Sequence, residues 1–221
     1  MAQRVILTQN TKKRKVFPYA RSMQTRTGLM TRRKAATAGE IAAEAARLFA
    51  ERGVAQVTAA EIAEASGVSL RTFYRYFPTK EDAVAPVLEI GAARWQAALE
   101  EAEEAPAVAI PAVLAAQLTP ETPEDAEGLA RMRPLLRALA EDRELRAVWH
   151  RVNHESEERL VALIAERGEH DRLAARVLAA AATEAIRIGL EEWAKSTAGV
   201  RGTGSPAELA ARAFAAMAPS P

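Results

Sequence analysis

Between Ser69 and Lys80 the chain sets out Ser69, Arg71, Thr72, Tyr74, Arg75, Tyr76 and Lys80, with no acid until Glu81. Hydroxyls, guanidinium groups and an ammonium are the usual donors to phosphate oxygens and base edges, and phosphates repel carboxylates. The chemistry on offer is recognition of a polyanion by hydrogen bonding and charge. Val68, Phe73 and Phe77 recur at a spacing that pins the same stretch to a core. An ordinary helical hairpin with aromatic core residues would share part of this pattern, so the flanking elements decide between the two.

Those elements are well marked. Thr58 and Glu61 fit a capping box that opens a short helix, Ala59 to Ala65, with Ile62 facing inward. Ser66-Gly67-Val68 is the turn, where Gly67 can take the left-handed conformation that ends one helix and starts the next. Ala63 is small enough to let the second helix, Ser69 to Tyr76, cross close to the first. This is the helix-turn-helix arrangement, whose second helix enters the major groove of DNA. Pro78 stops that helix, and Thr79 caps the next. Lys80 lies in the next helix's first turn, beside free backbone N–H groups, as a phosphate clamp. Upstream, Thr37 and Glu40 give another capping box and a helix ending at Gly53, with an apolar stripe of Ile41, Ala45, Leu48 and Phe49.

The run from Thr37 to about Leu88 resembles the DNA-binding domain of the tetracycline-repressor (TetR) family of bacterial regulators. The matching pieces are AARLFAERGV, then VTAAEIAEASGVS, then RTFYRYFPTKEDAV. The resemblance implies that residues 69–76 are the recognition helix, with Ser69, Leu70, Arg71 and Thr72 at its base-facing start. It places Thr58, Tyr74, Tyr76 and Lys80 on the phosphate backbone, and Arg75 completes the DNA-facing set. Leu70 departs from the family, which more often has a polar or charged base reader there. Two roles are open for it, contact with a thymine methyl or packing. The resemblance further implies a cytoplasmic transcriptional regulator, a repressor released from a near-palindromic operator in double-stranded DNA by a small, largely apolar organic effector.

Composition agrees with that expectation. The chain has 221 residues and no cysteine, so disulfides and thiolate chemistry are excluded. No apolar run reaches membrane-spanning length, and the N-terminus lacks the apolar stretch of a secretion signal. Net charge is +1, but residues 1–34 carry ten Lys or Arg and no acid, leaving 20 basic against 29 acidic residues beyond them. A basic end before an acidic body is the layout expected where one end meets nucleic acid. The domain reading is a basic, disordered arm at 1–34, the DNA-binding domain at 35–82, and a regulatory and dimerisation domain at 83–221. The arm reads as a reach to the DNA backbone, as a solvated tail, or as sequence ahead of a later start at Met23 or Met30.

Beyond Thr79 the pattern is helical throughout, which predicts an all-α chain of about nine helices. The first long helix is expected from Thr79 to Glu104, bent at Pro86. A short one follows near Ala107 to Leu118. Thr122 and Pro123 open another that reaches Ala140 and is kinked or divided at Pro134. Further helices are expected over 142–167, 170–197 and, behind Ser205, to about Met217. Between Leu173 and Leu190 the polar side chains are Arg176, Thr183, Glu184 and Arg187 alone, so this helix needs cover on more than one side. Residues 170–197 and 205–217 are therefore the expected homodimer interface, as the family resemblance also implies. Ligand-lining candidates are Trp95, Trp149, Asn153, Ser156, Trp193 and Glu184, the last read as a buried carboxylate or as a partner of Arg187. His150 and His154 have the spacing of metal ligands on a helix, but a solvated face explains them and no metal is assigned. No glycine-rich phosphate loop or activated nucleophile points to an enzyme, and no cofactor is implied.

Overall fold

The computed structural model describes residues 18–167 and 171–217, with side chains from Arg32 onward. The described residues form nine α-helices and no strand. They are α1 (Pro18–Arg52), α2 (Ala59–Ala65), α3 (Leu70–Tyr76), α4 (Ala85–Glu101), α5 (Pro106–Leu118), α6 (Pro123–Ala138), α7 (Arg143–Glu166), α8 (Arg172–Lys195) and α9 (Pro206–Met217). Short 3-10 turns at Val54–Gln56 and Asp82–Val84 separate α1 from α2 and precede α4. By compactness the chain divides into residues 1–37 and 38–221.

Two expected helix starts, at Thr37 and Thr79, and the bend at Pro86 are corrected. Thr37 lies inside α1 and caps nothing. Lys34, Ala35 and Ala36 are good helix formers with no glycine or proline among them, so nothing stops the helix from continuing past the threonine. Residues 18–34 of the expected arm are accordingly helical, and residues 1–17 lie outside the described residues. Pro86 does not bend a long helix, because it stands in the first turn of α4, where its missing N–H costs nothing. Thr79 caps no helix; its Oγ1 accepts from Asp82 N at 3.1 Å across the turn that leads into the 3-10 segment, whose own N-cap is Glu81. Pro134 is contained within α6 and does not divide it.

The predicted caps at Thr58 and Thr122 are complete, each threonine accepting from the third helical N–H while that residue's carboxylate accepts in return. Ser205 holds the start of α9 by accepting from Glu208 N at 3.4 Å, and Glu208 reaches back to Gly204 N–H. Carbonyls at helix C-termini have no partner within the helix, and arginines from other elements supply one. Arg167 donates to Leu99 O, Ala102 O and Glu104 O at 3.0, 2.8 and 2.6 Å, closing α4. Arg137 donates to Ala194 O at 2.6 Å at the end of α8. Arg133 lies over the Trp193 ring, 4.0 Å from its centroid, and donates to Ala198 O.

Two apolar clusters fill residues 38–221. One joins Ile41, Phe49, Ile62 and Phe73 of the first three helices to Leu135 of α6 and Trp149 of α7. The predicted stripe of α1 is buried in it. The other joins Trp95 and Leu99 of α4 to α5, the far half of α7, α8 and Phe214 of α9. Helices α8 and α9 pack so closely that a Cβ on Gly189 would lie 2.6 Å from the Ala210 backbone nitrogen.

Candidate functional site

The first candidate surface is built on the turn between α2 and α3. Gly67 has φ of +65°, open to glycine at little cost. Its N–H donates to Glu64 O at 3.0 Å, and Val68 N–H donates to Ala63 O at 2.9 Å. This pair of bonds is the Schellman closure that ends a helix and redirects the chain at once. Ala63 is buried at the crossing, and Phe73 fixes α3 to the core with no exposure. Phe77 packs beside it, the two ring centroids 5.8 Å apart.

With that face pinned, Ser69, Leu70, Arg71, Tyr74 and Arg75 are exposed, and Thr72 and Tyr76 are half-buried. Leu70 is 42 % and Tyr74 54 % exposed, so Leu70 is not a core packing residue. Ser69 accepts from Thr72 N at 3.1 Å and shares a hydroxyl hydrogen bond with Thr72 at 2.9 Å. The helix carries no carboxylate anywhere along its length. Arg75 stands 5.4 Å from the Tyr76 ring centroid, a cation–π contact that steadies both side chains.

Two expected phosphate donors are engaged elsewhere. Lys80 Nζ donates to Val54 O at 2.7 Å and Val57 O at 2.8 Å, with Glu81 Oε1 at 3.6 Å. It ties the chain after α3 to the 3-10 turn before α2, because that turn leaves carbonyls that need a donor. The Thr58 hydroxyl donates to Glu61 Oε2 at 2.8 Å and accepts from Glu61 N at 3.2 Å. Glu61 also receives Arg52 at 2.7 Å. The Thr58 backbone N–H first, then Arg52 and the Thr58 hydroxyl, hold the Glu61 carboxyl down to about 2.

The second candidate site is a cavity of about 660 Å³ lined by α4, the end of α5, α6, α7 and α8. It brings together four predicted residues, Trp95, Trp149, Asn153 and Ser156. Trp149 Nε1 donates to Glu191 Oε1 at 2.8 Å, and Asn153 Nδ2 donates to Trp149 O at 2.8 Å. Gln96 Nε2 donates to both Ser156 Oγ and Ser156 O at 2.8 Å. Trp193 is not among the lining residues; it is fully buried, with Nε1 on Gly199 O at 2.9 Å. Glu184 is neither buried nor in the cavity lining. Its side chain is 40 % exposed, and Arg187 Nε lies 3.0 Å from both its oxygens. The two carboxylates of Glu184 and Glu191 hold the Arg187 guanidinium above its ordinary range.

Sequence reasoning missed Thr183, which is 3 % exposed and lines the cavity. A hydroxyl within an otherwise apolar helix was the available signal. The α6 side of the cavity, with Met132 and Gly128, carried no signal, because α6 reads as an ordinary amphipathic helix. His154 Nε2 lies 3.8 Å from Glu158, both well exposed. Among the described residues no helix is long and apolar enough to cross a membrane.

The segment that carries α2 and α3 can be placed by comparison. Residues 40–85 match the model of the family described as "Bacterial regulatory proteins, tetR family". The chain is 34 % identical over 155 residues to the HTH-type transcriptional regulator TcmR of Streptomyces glaucescens, covering 68 % of each chain. Its fold is similar to that of a Rhodococcus sp. protein assigned to the TetR-family transcriptional regulators, with a TM-score of 0.53 at 15 % identity, over 82 % of this chain and 96 % of that one. It is similar also to Thermus thermophilus FadR, a TetR-family transcriptional repressor solved in complex with lauroyl-CoA. There the TM-score is 0.52 at 21 % identity, over 83 % of this chain and 98 % of that one.

Proposed function

The chain belongs to the TetR family of bacterial transcriptional regulators, and we propose that it is a repressor whose hold on its operator is loosened by a small, largely apolar organic ligand. The observation that carries this is the exposed, acid-free face of α3 within the same compact unit as a cavity walled by two tryptophans. Arg71 and Ser69 are the base-facing donors in this reading, Leu70 meets a thymine methyl, and Tyr74 and Arg75 hold phosphates. Lys80 and Thr58 support that surface from behind, through carbonyls and a carboxylate, and reach phosphate only if those bonds exchange.

The apolar cluster that runs from Phe73 to Trp149 connects the two sites through packed side chains. A ligand shifts the equilibrium only by preferring the arrangement that fits DNA less well. FadR of Thermus thermophilus, solved with lauroyl-CoA, makes an acyl chain one occupant to test. The work is binding, not turnover, and its place is the bacterial cytoplasm. DNA fragments flanking the protein's own gene are the first substrate for a gel-shift assay. A band that survives random competitor DNA and weakens with a cavity ligand is the expected result. Equal retention of every fragment, or no retention at all, would sink the reading.

A further inference from the structure

The lining of the cavity sorts by charge and depth. Its five charged residues, Arg94, Glu121, Glu124, Asp125 and Arg131, are all exposed and stand at the rim. Its buried part is apolar and aromatic, and apart from the indoles it contains two polar side chains, Ser156 and Thr183. Ser156 is already matched with Gln96 at 2.8 Å. Thr183 Oγ1 is buried and has no hydrogen-bond partner. A helical threonine usually donates back to the carbonyl one turn earlier, and buried polar groups are nearly always paired. The other such atom among the described residues, Arg133 Nε, belongs to the guanidinium stacked on Trp193. Thr183 has no such account within the protein.

Resting on the reading of this cavity as the effector site, we propose that the effector is an uncharged ring compound carrying a carbonyl or hydroxyl oxygen on its buried edge, and that Thr183 is the residue that recognises that oxygen. The ring follows from Trp95 and Trp149, whose faces favour flat apolar partners. The absence of net charge follows from the buried lining, where no side chain would compensate an ion. The Thr183 hydroxyl has essentially no accessible surface where it stands, so a turn about its Cα–Cβ bond brings it to the cavity wall, where a ligand oxygen gives it the partner it lacks.

Three tricyclic compounds of one skeleton test this: fluorene, 9-fluorenone and fluorene-9-carboxylate, with lauroyl-CoA as a fourth probe. Binding to the full chain is measured by equilibrium dialysis. Fluorenone should bind roughly tenfold more tightly than fluorene, the usual size of one buried hydrogen bond, and more tightly than either anionic probe. Thr183→Val keeps the shape and removes the hydroxyl, so it should erase the fluorenone preference while leaving fluorene binding unchanged. Thr183→Ser should restore the preference. The Val variant should melt no lower than the parent, since it removes an unpaired buried hydroxyl. Equal binding of fluorenone and fluorene, or a preference that survives in Thr183→Val, overturns the oxygen contact and leaves the cavity as an effector site. Tighter binding of the carboxylate or of lauroyl-CoA overturns the uncharged class alone. Failure of all four probes to bind overturns this inference together with the reading it rests on.

Discussion

At the scale of single residues, the proposed DNA surface divides into side chains assigned to reading sequence and side chains assigned to reading charge. Arg71 is exposed at the start of α3, where a guanidinium can take two acceptors of a guanine edge. Arg71→Ala should cost about 1–3 kcal/mol on the operator and little on random DNA, shrinking the ratio between them in competition gel shifts. Tyr74 is exposed on the same face, and a phenol on phosphate carries no base information. Tyr74→Phe should weaken both DNAs alike, by about 1 kcal/mol. If both changes lowered operator and random binding equally, the assignment would be wrong. Glu61 supports this surface from α2. Its carboxyl is held down to about 2 from an ordinary 4.5, mainly by the Thr58 N–H. A depressed carboxyl contributes stability above its unfolded value and loses it as pH falls through the folded one. The Glu61 share should be whole above about 4.5 and gone near about 2. Urea unfolding across that window should therefore show a shallower pH slope for Glu61→Gln than for the parent. The caps at Thr58 and Thr122 were legible because both partners sit within one turn of sequence. The post of Lys80 was not, because it finds carbonyls more than twenty residues upstream. Of the two readings of Glu184, the pair with Arg187 three residues on was legible and is the one formed; that the carboxylate faces away from the cavity is decided by tertiary packing.

At the scale of elements, the sequence reading succeeded where helices have chemical stops and failed where they do not. Gly53 and Gly67 end α1 and α2 with positive φ, and each was visible as a glycine at the end of a periodic stripe. The start of α1 had no such mark, so a threonine–glutamate pair inside it mimicked a cap. Four cavity residues were foreseen because they share two helix faces, but the α6 wall needed the fold to bring it there. The joint between head and cavity is carried by α7. Arg151, next in chain to the lining residue Val152, places Nη2 2.6 Å from Asp82 Oδ1 in the turn before α4. Asp82 also receives the Thr79 hydroxyl at 2.9 Å. Arg151 is exposed and Asp82 half-buried, and such surface pairs contribute about 1 kcal/mol or less to stability. Its effect on coupling is a different quantity, because it links the helix that borders the ligand to the turn that carries the head. Arg151→Ala should melt within a few degrees of the parent yet shrink, by several-fold, the ratio of operator affinities measured without and with 9-fluorenone. An unchanged ratio would assign the coupling to the apolar cluster alone.

At the scale of the whole molecule, one helix-turn-helix reads a few base pairs and a second copy doubles the contact. The surface suited to a second copy is on α8 and α9. Leu173 and Val177 lie one turn apart on α8 and are 70 % and 59 % exposed, and Met217 at the end of α9 is 37 % exposed. Large aliphatic side chains on successive turns of one helix are poor solvent-facing residues and good interface residues. The close approach of α8 to α9 at Gly189 makes the pair a stiff platform, so two copies can meet as a four-helix face related by a two-fold axis. In that dimer two α3 helices should reach successive major grooves on one side of DNA, roughly 34–36 Å apart or a little more, and the operator should read as a near-palindrome. Light scattering of the parent at micromolar concentration should give twice the chain mass of 23.9 kDa. Leu173→Asp with Val177→Asp should bring it to the monomer mass with helicity retained, because both positions are exposed within the chain and their loss opens no cavity there. The same variant should shift a half-site no better than random DNA, since one head alone makes too few contacts to discriminate. A parent that scatters as a monomer, or a double variant that remains dimeric, would move the interface away from α8 and leave the exposed leucine and valine without this role.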